Sequence, residues 1–128
     1  MCNFRMIVLD DERGTTAVEF AIVGPVFIAL VVGILYLCLC LFLVGSLHYA
    51  VEEGARCASV RTTVCSDDTT TVAYAKSHYF GPSSPAFIYA NGAAASCGGN
   101  SVTGSISYVA QLGLKQFTIP ITATACFP

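Results

Sequence analysis

The sequence predicts an α+β protein in which one long N-terminal helix carries a small sheet domain. Three observations support this class: an uncharged apolar run from Phe20 to Leu47, a helical pattern that continues to about Thr62, and strict apolar–polar alternation near the C-terminus. We expect a short second helix between these parts. We also expect an antiparallel meander of three or four strands, which can hide its apolar face only against a helix.

The apolar run is long enough to cross a membrane. Residues 20–47 would form a helix of about 42 Å at about 1.5 Å per residue, whereas a bilayer core is about 30 Å thick. A removable secretory signal is the alternative, but the segment before Thr15 is net acidic and the run is too long for one. We therefore predict a transmembrane span at about 20–47, inside a long helix at 15–62 whose extramembrane half carries the sheet.

A small domain is expected at residues 63–128. It begins with a short helix, because residues that favour N-caps precede an apolar stretch that a Gly-Pro pair then ends. The candidate caps are Asp67, Asp68 and Thr69, and the predicted stop is Gly81-Pro82.

Strands are predicted in the second half of this domain. Apolar and polar residues alternate from Val102 to Tyr108 and again from Phe117 to Ala125. Asn91-Gly92 is a hairpin signal that would join a strand at 87–89 to another at 93–97. Pro120 cannot donate to a ladder, so it must lie on an edge strand or at a bulge.

Composition and motifs exclude several classes of function. With six Lys and Arg and a formal net charge of −2, the chain has no basic stripe, so we expect no nucleic-acid partner. The sequence lacks a nucleophile elbow, a phosphate-binding loop and a His-Glu-x-x-His motif, so we expect neither enzymatic activity nor a cofactor. No closely spaced cysteine pair of the zinc-binding kind occurs, so no metal site is expected.

Cysteine placement indicates the compartment of the C-terminal domain. The disulfide candidates after the span are Cys57, Cys65, Cys97 and Cys126. Such cysteines in a small domain suit an oxidising compartment, so we place this domain outside the cytoplasm, although flanking charge does not decide the orientation. Several connectivities are open, and we favour Cys65 with Cys97 and Cys57 with Cys126.

The start of the apolar run carries a resemblance to a known family. A short leader ends at Gly14, Glu19 follows with Phe20 beside it, and residues 50–56 contain Ala, Glu, Gly and Arg ahead of a strand-rich tail. Together these features resemble the TadE-like pseudopilins, which are minor components of the tight-adherence (Flp-type, type IVc) pilus system. The resemblance implies a pilin-like fold, a bacterial inner-membrane location with the C-terminal domain in the periplasm, and incorporation into an extracellular pilus.

The resemblance also implies a processing step. A prepilin peptidase would remove residues 1–14, together with Cys2, by cutting the Gly14–Thr15 bond. Glu19 would then pair with the free amine of a neighbouring subunit, because a carboxylate in an apolar core needs a partner. The alternatives are a glycine that only ends an irregular tail and a glutamate that lies at the membrane surface near a helix N-terminus.

Further partners follow from the same resemblance: other pilin or pseudopilin subunits, the inner-membrane assembly platform and the lipid bilayer. Gly24-Pro25 is a candidate hinge, because Pro25 cannot donate to the carbonyl of Ala21, although prolines in membrane helices also only bend them. The alternative function is an uncleaved, single-pass, membrane-anchored periplasmic binding module.

Overall fold

The computed structural model describes residues 12–95, 97–112 and 115–128. In chain order its elements are α1 (Glu12–Val60), α2 (Asp68–Ser77), β1 (Ala86–Asn91), a 3₁₀ turn (Gly92–Ala94), β2 (Asn100–Leu112) and β3 (Lys115–Phe127). The predicted α+β class is therefore confirmed, with three strands. The chain divides into two compact units, the first ending at Leu35 and the second beginning at Tyr36.

The first unit is described as the N-terminal part of α1, up to Leu35. Large apolar side chains cover its surface and are exposed, for example Phe20 at 79% and Phe27 at 63%. Among the described residues, α1 is the one helix long and apolar enough to cross a membrane by length and composition, with a mean hydropathy of 3.1 over its best window. Such a surface needs lipid or other helices as its neighbour.

The second unit contains an antiparallel sheet in the order β1-β2-β3. Residues 86–91 pair with 100–105, and residues 100–112 pair with 115–127. Pro120 lies in β3, as predicted for an edge strand. A residue without a backbone N–H group is tolerated there, because the strand has a neighbour on one side only.

The predicted tight hairpin at Asn91-Gly92 is wrong. Gly92 does adopt a positive φ of 55°, which a turn of this kind favours, but it is the first residue of a 3₁₀ turn, and residues 93–95 form no strand. The chain instead reverses its direction over a longer loop that ends at Asn100. A hydrogen bond of 2.9 Å from the Gly92 N–H to the Gly99 carbonyl closes this loop.

The core of the second unit lies between the sheet and the C-terminal half of α1. The helix face consists of Leu43, Leu47, Ala50, Val51 and Ala55, each no more than 1% exposed. These side chains pack against apolar residues of all three strands: Phe87, Val102, Ile106, Ile121 and Ala123. The predicted packing of the sheet on the long helix is confirmed, and small residues on this face allow the close approach.

Gly104 in β2 marks the closest approach of sheet and helix. A Cβ atom there would lie 2.8 Å from Leu47 Cδ1, 2.8 Å from Phe87 Cε1 and 3.0 Å from Val51 Cγ1. All three neighbours are buried, so none can move aside without disturbing the core.

We expect Gly104→Leu to destabilise the second unit by about 1–3 kcal/mol or more, because overpacking displaces side chains from their rotamers. The measurement is urea unfolding of the purified chain in detergent micelles, followed by near-ultraviolet circular dichroism. Ser107→Leu, on the exposed face of the same strand, is the matched control. Equal unfolding midpoints for the two variants would contradict the packing described.

The short helix α2 has a complete N-terminal cap. Asp67 accepts a hydrogen bond of 2.8 Å from the Thr70 N–H, and the Thr70 side chain accepts one from the Asp67 N–H. The backbone and side-chain hydrogen bonds from Thr70 lower the pKa of Asp67, since they favour its charged form. The helix ends at Ser77, before the predicted Gly81-Pro82 stop, and the Phe80 N–H donates to Ser46 Oγ of α1 at 2.7 Å.

Candidate processing and assembly site

Gly14 and Thr15 lie in the first turn of the described part of α1. Gly14 is exposed, and a Cβ atom added to it would meet nothing within 4 Å. The predicted scissile bond is therefore helical, and a protease must first unwind this turn to reach it. Residues 1–11, which include Cys2 and most of the predicted leader, lie outside the described residues.

Glu19 and Phe20 are exposed on α1. Glu19 follows Thr15 by one helical turn, so the two residues share a helix face. Within the part of the chain that the structure describes, the Glu19 carboxylate makes no hydrogen bond or ion pair. It is thus a charged group at the start of a long uncharged surface and is available to a partner outside the chain.

Gly24 and Pro25 lie in an uninterrupted stretch of α1. The backbone stays helical at both residues, although Pro25 has no N–H group to donate to the carbonyl of Ala21. A shallow apolar depression surrounds them, lined by Phe20, Ala21, Val23, Phe27 and Ile28. The arrangement offers an apolar surface and no polar group for ligand binding.

The four cysteines that follow the predicted span form two disulfides, but the favoured pairing is wrong. The structure joins Cys57 to Cys65, with Cα atoms 5.8 Å apart, and Cys97 to Cys126, with Cα atoms 6.3 Å apart. Both distances suit a disulfide. Cys38 and Cys40 of α1 are free.

The local backbone explains each pair. After α1 ends at Val60, two residues before the predicted end, the chain turns back and the Cys65 N–H donates to the Arg61 carbonyl at 3.0 Å, which returns Cys65 to the last helical turn. At the other end of the unit, the register places Cys126 opposite Ser101, beside the loop that contains Cys97. The favoured pairing would have tied the last strand to α1 through Cys57 and Cys126, whereas the structure ties that strand to the loop that contains Cys97.

Peptide mapping without reduction checks this connectivity. Trypsin cuts after Arg56, Arg61, Lys76 and Lys115, which puts each of the four cysteines on its own peptide. We expect two linked products: residues 57–61 with 62–76, and residues 77–115 with 116–128. A product that links 62–76 with 77–115 would restore the rejected pairing.

Sequence reasoning missed two residues that position this unit, Gly104 and Ser46. A glycine inside an alternating strand signals close backbone approach, so the signal for Gly104 was present. Ser46 carried no such signal, because its partner, the Phe80 N–H, lies 34 residues away in sequence. Among the described residues, no group of three His, Cys, Asp or Glu side chains is placed to hold a metal ion.

Comparison with protein families decides the class of the helical segment. The family model described as TadE-like protein matches residues 14–56. The segment from Gly14 to Arg56 is TadE-like. This finding confirms the resemblance for residues 14–56, all of which lie in α1.

The match covers 43 of the 128 residues, and a segment of this kind is consistent with a pilin-like component associated with the tight-adherence pilus. Its apolar helix fits membrane anchoring and association with other pilus subunits. No curated protein and no solved structure matches the chain.

Proposed function

We propose that the chain is a minor pilin or pseudopilin of a tight-adherence pilus. A prepilin peptidase removes the leader after Gly14, and the mature chain, which begins at Thr15, is assembled through its hydrophobic N-terminal helix. Before assembly the protein is anchored in the bacterial inner membrane by a single span, with its C-terminal domain in the periplasm. Its partners are the peptidase, the other pilin subunits, the inner-membrane assembly platform and the bilayer.

The family match carries this proposal, because it begins at Gly14, the last residue of the predicted leader. The helical state of the first turn gives this glycine a physical role. Glycine is about 1 kcal/mol less favourable than alanine in a helix, so it eases unwinding of the turn. It also presents no side chain to a narrow protease cleft.

The chemistry of Glu19 supports assembly through the new N-terminus. Burying a lone carboxylate among apolar helices costs on the order of 2–3 kcal/mol, so an acid at this place needs a cation. Cleavage before Thr15 creates a free α-amine, which is charged at neutral pH. Removal of the leader therefore supplies the counter-charge for Glu19 of a neighbouring subunit, next to the apolar side chain of Phe20.

The exposed apolar surface of the first unit supports a change of surroundings during assembly. Lipid covers such a helix in the membrane, and neighbouring helices can cover it in a filament. The Gly24-Pro25 pair lacks one intrahelical hydrogen bond, so it is the level at which the helix stretches or bends as it moves. The two disulfides support a periplasmic location of the second unit, since that compartment is oxidising.

Fractionation of cells with and without the prepilin peptidase tests the proposal. With the peptidase present, we expect the protein both in the inner membrane and in filaments sheared from the cell surface. Without the peptidase, we expect it in the membrane fraction only. An unchanged distribution between the two strains, with no protein in the filaments, would favour the anchored module.

The anchored binding module is a second candidate, favoured by one surface of the second unit. A groove of about 430 Å³ lies between α2 and β1 and is lined by both polar and apolar side chains, among them Asp68, Lys76, Phe87 and Tyr89. In this reading the leader stays attached, α1 only anchors the domain, and the groove binds a partner in the periplasm.

A further inference from the structure

The β2–β3 hairpin extends beyond the core of the second unit. At the level of the buried pair Ile106–Ile121, α1 covers the sheet. Nearer the start of β3, the side chains of Phe117 and Ile119 are 49% and 41% exposed. On the opposite face Val109 is 47% exposed. We call residues 107–111 and 115–120 the hairpin end; Phe117 and Ile119 are exposed on one face, beside the buried Ala110, and Val109 is exposed on the other.

The hairpin end lies beside the most apolar part of α1 within the second unit. The Tyr36 hydroxyl donates to the Gln111 carbonyl at 3.2 Å, which places the two elements side by side. The helix surface at this level is also exposed and apolar, with Leu37 at 61%, Leu41 at 62% and Phe42 at 55%. The hairpin end and this level of α1 therefore form one apolar region of this unit.

The charge distribution points to the nature of the partner. Lys115 is the only Lys, Arg, Asp or Glu in residues 77–128, and it lies in the hairpin end. Its side chain is exposed. A single cation among exposed apolar groups suits an anionic lipid surface, where apolar groups enter the acyl boundary and a lysine meets the headgroups.

The length of α1 agrees with this position. Counted from Phe20, where the uncharged run begins, residues 20–39 form a helix of about 30 Å, which equals the thickness of a bilayer core. The anchor therefore needs none of the residues from Cys40 to Leu47, and Leu43 and Leu47 are buried against the sheet rather than free to face lipid.

We propose that the hairpin end binds the surface of an anionic bilayer, so that the membrane boundary lies near Leu39 rather than near Leu47. A lipid surface accounts for exposed apolar groups on both faces of the hairpin, whereas docking of a second copy would cover one face. This inference rests on the membrane-anchored state of the proposed function. It adds a second lipid contact that orients the periplasmic domain before assembly.

Single tryptophans test the proposal, because the chain has no tryptophan of its own. The full chain is reconstituted in phosphatidylcholine–phosphatidylglycerol vesicles that contain brominated lipid, as three variants. Phe117→Trp reports on the hairpin end, Phe27→Trp on the first unit, and Ile88→Trp, exposed on β1, is the control. We expect brominated lipid to quench Phe117→Trp and Phe27→Trp at least about twofold and to leave Ile88→Trp unchanged.

Bromines at shallow acyl positions should quench Phe117→Trp more strongly, and deep bromines should quench Phe27→Trp more strongly. Adding Lys115→Gln should reduce the quenching of Phe117→Trp in anionic vesicles to its level in neutral ones. Equal quenching of Phe117→Trp in anionic and neutral vesicles would overturn the role of Lys115.

Two results would overturn the hairpin contact itself while Phe27→Trp is still quenched. One is quenching of Phe117→Trp as weak as that of Ile88→Trp. The other is emission of Phe117→Trp that depends on the protein-to-lipid ratio but not on bromine, which would assign this surface to a second copy. Absence of quenching in Phe27→Trp would instead overturn the membrane anchoring of the proposed function.

Discussion

Gly14→Val is expected to abolish removal of the leader and, with it, incorporation into filaments. Valine places a branched side chain at the scissile bond, which blocks an extended backbone from entering a narrow cleft. The folded chain itself tolerates the change, since a Cβ atom at residue 14 would meet nothing within 4 Å. The measurement is the intact mass of the protein extracted from membranes.

Gly33→Val is the matched control for this experiment. Gly33 lies in the same helix and also has nothing within 4 Å of an added Cβ atom. We expect the control to be processed as the wild type is. Normal processing of Gly14→Val would contradict the predicted cleavage site.

Glu19→Gln is expected to leave membrane insertion and processing intact but to remove the protein from sheared filaments. The amide has nearly the shape of the carboxylate but carries no charge, so it cannot compensate the amine of Thr15. Insertion does not suffer, because loss of a charge makes the helix less costly to place in lipid. The measurement is the ratio of filament-bound to membrane-bound protein.

Glu52→Gln, an exposed glutamate in the C-terminal half of α1, is the control and should leave this ratio unchanged. The double variant Gly14→Val/Glu19→Gln should be no worse than Gly14→Val, since the two changes remove partners of one interaction. Wild-type incorporation of Glu19→Gln would refute the pairing with the amine.

The architecture could be predicted from sequence because its signals are local. The period-two pattern indicated the strands around Val102 and Ile121, and both residues face the core. The Gly-Pro and acidic signals placed the second helix to within a few residues. A pattern of this kind depends only on neighbouring residues, so a prediction from it does not require knowledge of how the rest of the chain folds.

The disulfides and the level at which α1 becomes buried could not be predicted in the same way. The connectivity of the disulfides depends on the course of the loops before Cys65 and Cys97. The hairpin predicted at Asn91-Gly92 implied a wrong course for the second loop. A helix face that contacts lipid and a helix face that packs against a sheet are both apolar. The sequence therefore gives no sign of where α1 passes from the exposed Phe27 to the buried Leu43.

For the candidate site, sequence marked Gly14 and Glu19 through their spacing, but the helical state of the scissile bond required the structure. In the proposed function this helical state gives the glycine a role, because a peptidase that cuts here would first have to unwind the turn.

N-terminal sequencing of the protein purified from the cell envelope tests the central claim most directly. The account predicts that the mature chain begins at Thr15, with a free amine one helical turn from Glu19. A chain that begins at Met1 or Cys2 would contradict it and would favour the uncleaved anchor.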